Sequence, residues 1–181
     1  MGRSLRFVLV SISVLLVLSG CQLLGHAFSF ENSSSHSLHI SPDGQSWAAF
    51  TLSAGQTKDV NIPETTITFM YDNADLVDCD TTSRAGTITF TDVPTVTYSV
   101  TGSSTNVFIY YTNATGGNDS LNVTSLPWSY AFAAHRGTFV YLEAFDNDGT
   151  GTTNVTVTIN ENGSILQTST SSYDATASGT L

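Results

Sequence analysis

Apolar and hydroxylated side chains alternate one for one along much of this sequence, a period that suits a β-strand with one buried face and does not suit a helix. Ile67, Phe69 and Tyr71 are spaced by threonine and methionine, and Ile88 and Phe90 by threonines. Val96, Tyr98 and Val100 alternate with Thr97 and Ser99, and Val155, Val157 and Ile159 with Thr156 and Thr158. From Thr138 to Phe145 both alternating sets are apolar: Val140, Leu142 and Ala144 on one side, Phe139, Tyr141 and Phe145 largely on the other. That pattern predicts a central strand covered on both faces. Pro42-Asp43-Gly44, Gly116-Gly117 and Asn162-Gly163 interrupt the apolar runs, and the last predicts a two-residue hairpin because both positions tolerate positive φ. Many short strands at this spacing predict an all-β chain of two small antiparallel, immunoglobulin-like β-sandwich modules.

The first 27 residues read differently. Arg3 and Arg6 precede an apolar run from Phe7 to Leu18, which ends in Ser19, Gly20 and Cys21. A short basic region, a dozen apolar residues and a small-residue cleavage point make a secretory signal peptide, and the run is short of the ~20 residues a spanning helix needs. Leu18-Ser19-Gly20-Cys21 resembles the lipobox of bacterial lipoprotein precursors, in which the cysteine becomes the lipidated first residue of the mature protein. The resemblance implies a lipoprotein signal peptide over 1–20, acyl chains such as palmitate on Cys21, a lipidated tether over 21–27, and a place in the cell envelope, anchored to a bacterial membrane. Gln22 is not the aspartate that resembles an inner-membrane retention signal, which points to the outer membrane. The plainer alternative is an ordinary signal peptide cut at Gly20 or Ala27, with Cys21 incidental.

Removal of residues 1–20 leaves three cations, Lys58, Arg84 and Arg136, against fifteen carboxylates, a formal charge of −12. Such a chain lacks the basic stripe of a nucleic-acid-binding protein, so no nucleic-acid partner is expected. Anionic headgroups repel it too, which leaves membrane attachment to the lipid anchor. With Cys21 acylated, Cys79 has no partner within the chain, and Asp78 and Asp80 beside it disfavour the thiolate. A buried, unreactive cysteine is the expectation. Six Asn-x-Ser/Thr sequons, at Asn32, Asn113, Asn118, Asn122, Asn154 and Asn162, follow from a composition rich in those residues.

A break near Asp92, Val93 and Pro94 divides the exported part into modules over 28–93 and 94–181. The second contains, in order, Val96-Thr97-Tyr98-Ser99-Val100-Thr101-Gly102, Tyr111-Thr112-Asn113, Ser125-Leu126-Pro127-Trp128, Gly137 with Phe139 and Leu142, Asn162-Gly163, and Ala175-Thr176-Ala177-Ser178-Gly179. In that series it resembles the extracytoplasmic β domain of MmpS-type transport accessory proteins. The resemblance implies a β-sandwich and work beside a large membrane exporter. The chain departs from the family in having a lipobox instead of an N-terminal membrane helix, no cysteine after Cys79, and an extra module.

Several constellations invite a chemical reading. Asp146-Asn147-Asp148-Gly149 has closely spaced oxygen donors before a glycine, as calcium loops do, but Thr150, Gly151, Thr152 and Thr153 follow where a bidentate glutamate is required. A hairpin turn between the Phe139 and Val155 strands explains the same residues. Asp72, Asp75, Asp78 and Asp80 form a second acidic candidate with irregular spacing. His26, His36, His39 and His135 do not make a metal signature, since His36 and His39, three apart in a strand, point to opposite faces. Pro127 and Trp128 read as core or sandwich-edge residues, with an exposed ligand-stacking ring as the alternative, and Trp47 in its loop setting is a second ring of that kind. No Gly-x-Ser-x-Gly elbow and no phosphate-cradling loop is present, and no cofactor is implied. The sequence thus points to a lipid-anchored, exported bacterial protein with a non-catalytic binding, adaptor or envelope-structural role, partnered by the membrane and an envelope protein. An accessory subunit of an exporter is the alternative, and a hydrolase or ligand-binding enzyme in the first module is a third.

Overall fold

The computed structural model describes residues 8–13, 26–42, 49–62, 66–81, 86–148 and 153–181, and among them every regular element is a β-strand. Cys21, Trp47 and the Asp43-Gly44 turn lie outside the described residues. The chain divides into two compact units, 1–92 and 93–181.

The first unit contains β1 (Val8–Ser13), β2 (His26–Asn32), β3 (Leu38–Pro42), β4 (Phe50–Leu52), β5 (Thr57–Ile62), β6 (Thr66–Tyr71), β7 (Val77–Asp80) and β8 (Thr87–Asp92). They form two four-stranded sheets, β1-β6-β3-β4 and β5-β2-β8-β7. One apolar core draws Ile40, Leu52, Ile67 and Phe69 from the first sheet and Phe30, Val77, Ile88 and Phe90 from the second, so the sheets pack face to face. Phe30 sits edge-on to Phe69, centroids 5.6 Å apart, and to Phe50 at 5.5 Å. Asn32 is buried at the end of β2, yet each of its polar atoms has a partner. Its Nδ2 donates to the carbonyls of His36 and Leu52, and its Oδ1 accepts from the amide and hydroxyl of Ser34. A sequon asparagine held in this way is closed to modification in the folded chain.

Two features depart from the sequence reading. β2 and β8 pair in parallel, Phe30 opposite Ile88, whereas every other pair in the unit is antiparallel. The strands between them in sequence are shared between the two sheets, so β8 reaches β2 by crossover rather than by hairpin. Val8–Ser13, within the stretch read as the signal peptide's apolar region, lies antiparallel on β6, Val8 opposite Tyr71 and Ser13 opposite Thr66.

The second unit contains β9 (Thr95–Gly102), β10 (Val107–Thr112), β11 (Asn118–Val123), β12 (Trp128–Ala133), β13 (Phe139–Asp146), β14 (Val155–Glu161), β15 (Ser164–Ser171) and β16 (Asp174–Thr180). Its sheets are β12-β9-β14-β15 and β11-β10-β13-β16, antiparallel throughout. The alternating residues bury as their period requires: Val96, Tyr98, Val100, Val155, Val157 and Ile159 from one sheet meet Val107, Ile109, Val140, Leu142 and Ala144 from the other. Asn162-Gly163 makes the expected tight turn between β14 and β15, with φ of 50° and 83° and Glu161 opposite Ser164. The Asn162 side chain then accepts the Thr95 amide at 2.9 Å, tying the turn to the start of β9.

β13 is central in its sheet, between β10 and β16, but the expectation that it is covered on both faces is overturned. Its inward residues are fully buried, while Tyr141 and Phe145 are half-buried and Phe139 is 57% exposed. Nor do β13 and β14 form a hairpin. They belong to different sheets, and the segment joining them crosses the sandwich.

Candidate functional site

The crossing after β13 holds the first acidic candidate. Asp146 is the last residue of β13 and is only 2% exposed. Its Oδ1 accepts the Ser104 hydroxyl at 2.7 Å and the Asp148 amide at 2.9 Å, and its Oδ2 accepts the Thr153 hydroxyl. The Thr153 hydrogen bond, helped by Ser104 and the Asp148 amide, holds the Asp146 carboxyl below its ordinary range against the opposing effect of burial. Asp148 Oδ2 accepts the Thr105 amide at 3.0 Å. The carboxylates therefore fasten the β9–β10 loop to the β13–β14 crossing.

The second acidic candidate is spread over two elements. Asp72 follows β6 and accepts the His39 amide at 2.7 Å, Asp75 is exposed in the next turn, and Asp78 and Asp80 share one face of β7. Cys79, on the opposite face, packs against the first unit's core. Burial first, then the charges of Asp80 and Asp78, pushes its thiol up to about 12, so the thiolate is scarce at neutral pH. Among the described residues, no group of three or more His, Cys, Asp and Glu side chains gathers where it could hold a metal ion. His39 is exposed on β3, and His36 precedes that strand, with Nε2 3.8 Å from Asp92 Oδ1, so the two do not share a strand as expected. His135 is exposed in the loop before β13, and His26 opens β2.

Trp128 begins β12 half-buried, stacked on Tyr130 with centroids 6.5 Å apart and 5.4 Å from the Tyr111 ring. Pro127 before it is exposed, joined to Leu126 by a cis peptide bond. The ring belongs to a cluster closing one side of the core, which supports the sandwich-edge reading of this tryptophan.

A different set of aromatic residues faces outward. Because side chains alternate across a strand, burying Val107, Ile109, Val140, Leu142 and Ala144 turns Phe108, Tyr110, Phe139, Tyr141 and Phe145 to the far face of the same sheet. Phe108 lies opposite Phe145 in register, ring centroids 6.2 Å apart, and Tyr110 meets Tyr141 edge-on at 6.0 Å. Phe139 prolongs the row at its open end. Beside it a groove of about 490 Å³ is lined by Tyr110, Thr112, Asn118, Thr138, Phe139 and Tyr141. The flanking strands contribute small polar groups: Ser120 opposite Tyr110 on β11, and Ser178 opposite Tyr141 on β16. Glu143 stands between the ring pairs, and partial burial, then this neighbouring carboxylate, raises the Tyr141 pKa above its ordinary value. An outward row of rings with hydroxyl, amide and carboxylate neighbours can stack on a ligand's flat apolar faces and hydrogen-bond its edges.

Sequence reasoning named Phe139, Tyr141 and Phe145 but placed them under a second layer, and it did not single out Phe108 and Tyr110. Compared with known proteins, the chain matches no family model and no curated protein.

Proposed function

We propose that this chain is a lipid-anchored, exported bacterial protein with a non-catalytic binding role in the cell envelope, and that its second unit presents the outward face of β11-β10-β13-β16 to the ligand. The observation that carries the binding role is the row of outward rings beside a groove, since burying such rings would stabilise the fold and leaving them in water serves contact with something else. The anchor rests on Cys21 behind Leu18, Ser19 and Gly20. Cleavage before Cys21 takes β1 with it and leaves β6 as an edge strand of its sheet.

Metabolic labelling with a fatty acid tests the anchor. Label on the wild type and none on Cys21→Ala is expected, and label that persists in the variant contradicts it. Crosslinking of intact cells followed by pull-down tests the role. Recovery of envelope material dependent on the outward face supports binding, whereas recovery of a large membrane exporter independent of that face replaces this reading with an accessory one.

A further inference from the structure

We infer that the outward face of the β10–β13 pair binds a neutral polysaccharide chain lying along the strands. The inference rests on the binding role proposed above and names the chemical class of its ligand.

The shape of the surface suits a chain. From Phe139 to Phe145 the row spans six residue steps, about 20 Å at ~3.4 Å per residue, so it is long enough for several sugar residues and too open to enclose one small molecule. The groove of about 490 Å³ at the Phe139 end falls within the ~300–1,000 Å³ of small-ligand sites and offers one sugar a deeper seat.

The chemistry suits a carbohydrate. A pyranose has a face of C–H bonds and a rim of hydroxyls. The face carries slight positive charge and stacks on the negative face of an aromatic ring. The rim needs neutral donors and acceptors, and Ser120 and Ser178 stand opposite Tyr110 and Tyr141, with Thr176 opposite Glu143 between them. A protein partner would favour a dry apolar centre with its polar groups at the edge. Here Glu143 sits between the Phe108–Phe145 and Tyr110–Tyr141 pairs, opposite Tyr110 on the neighbouring strand. Polar and aromatic groups are interleaved along the row, as the alternating edges and faces of a sugar polymer require.

The charge excludes acidic polymers. None of the four strands carries a lysine or an arginine. Glu143 and Asp174 lie on or beside the row, and the processed chain has a formal charge of −12. A polymer bearing carboxylate, sulfate or phosphate at every repeat is repelled from this surface.

The test is affinity electrophoresis of the full processed chain, extracted from membranes in detergent, through gels containing neutral polysaccharides (β-1,3-glucan, β-1,4-glucan, α-glucan, mannan, galactan) and, separately, alginate and polygalacturonate. We expect at least one neutral polymer to retard the protein and the two polyanions to leave it unretarded. Tyr110→Ala/Tyr141→Ala should weaken retardation at least tenfold. Phe139→Ser, at the most exposed ring of the row, should weaken it severalfold with an unchanged thermal transition, which keeps the test valid if the double variant fails to fold. Ile165→Ser, on the other sheet, should behave as wild type. Retardation by no neutral polymer, retardation by polyanions alone, or retardation indifferent to Phe139→Ser overturns the inference. Failure here, together with a protein captured through the same face in crosslinked cells, removes the polysaccharide and leaves the binding role standing. Shortening of the polymer during the assay removes the non-catalytic role itself.

Discussion

The two sheets of the second unit share one apolar core and differ outside. Inward, both present aliphatic side chains, to which the β12-β9-β14-β15 sheet adds the buried rings of Tyr98 and Phe132. Outward, β14 and β15 end in a ladder of hydroxyls, with Thr156 2.8 Å from Thr170 and Thr158 3.1 Å from Thr168, whereas β10 and β13 end in rings. Cross-strand threonine pairs suit a solvated sheet face and satisfy one another. Half-exposed phenylalanine and tyrosine pairs do not answer to solvent in that way. Folding alone thus explains the threonine ladder, beside which Ile165 on β15 is an isolated exposed apolar side chain, whereas the other outer face retains paired rings that the fold does not bury.

If inward residues carry stability and outward rings carry binding, substitutions should divide along the same line. The largest effect is expected for Val157→Asp, which places a carboxylate at a fully buried site in β14. Burying an unpaired charge there should cost about 4 kcal/mol or more and abolish the second unit's cooperative unfolding, as measured by calorimetry. A retained transition would break the inward assignment of β14. Gly102→Ala comes next. Gly102 has φ of 147°, and a Cβ there would meet the Asn154 carbonyl oxygen at 2.0 Å, so β9 and β14 must part or twist. A loss of about 3 kcal/mol in denaturant unfolding is expected.

Asp146 gives a pH-dependent effect of smaller size. Its carboxyl is held below the ordinary 3.8 by hydrogen bonds made in the folded state. The folded group therefore binds protons less readily than the unfolded one, and its contribution is present above pH ~4 and lost as pH falls through the folded value. Asp146→Asn should lower the thermal midpoint at pH 7, and the gap to wild type should close in acid. A gap that widened in acid would reverse the sign.

The β-character and the positions of most strands are legible in the sequence because alternation reports one buried face directly, as in Val96–Val100 and Val155–Ile159. Asn162-Gly163 is legible too, since its turn depends on two adjacent residues. β10 is masked, because apolar residues fill five of its six positions and no period shows. Pairing between distant strands leaves no local mark, so the parallel β2–β8 pair and the crossing from β13 to β14 could not be read. The outward rings were hidden for a further reason. Apolar residues on both sides of β13 describe equally a strand beneath a second layer and one whose outer face awaits a ligand. Half-buried Trp128, by contrast, followed from its place after Pro127 at the start of an edge strand.

Two finer substitutions sharpen the contrast between inside and outside. Tyr98 is wholly buried, with its hydroxyl near the Tyr141 backbone but without a formed hydrogen bond, and burial raises its pKa to about 12. Tyr98→Phe removes a polar atom that gains nothing from folding and should stabilise the second unit by about 1 kcal/mol in denaturant unfolding. Phe139→Ser, at a 57% exposed ring, should change stability by no more than ~0.5 kcal/mol while reducing polysaccharide retention. A large stability loss at Phe139 would assign the outer rings to the fold after all.

Hydroxyl-radical footprinting of the full chain, with and without the neutral polysaccharide that retards it, reads both outer faces in one sample. Protection of Tyr110, Phe139 and Tyr141 with unchanged labelling of Ile165 is the expected result. Equal labelling of the rings in the two samples would contradict a ligand on that face.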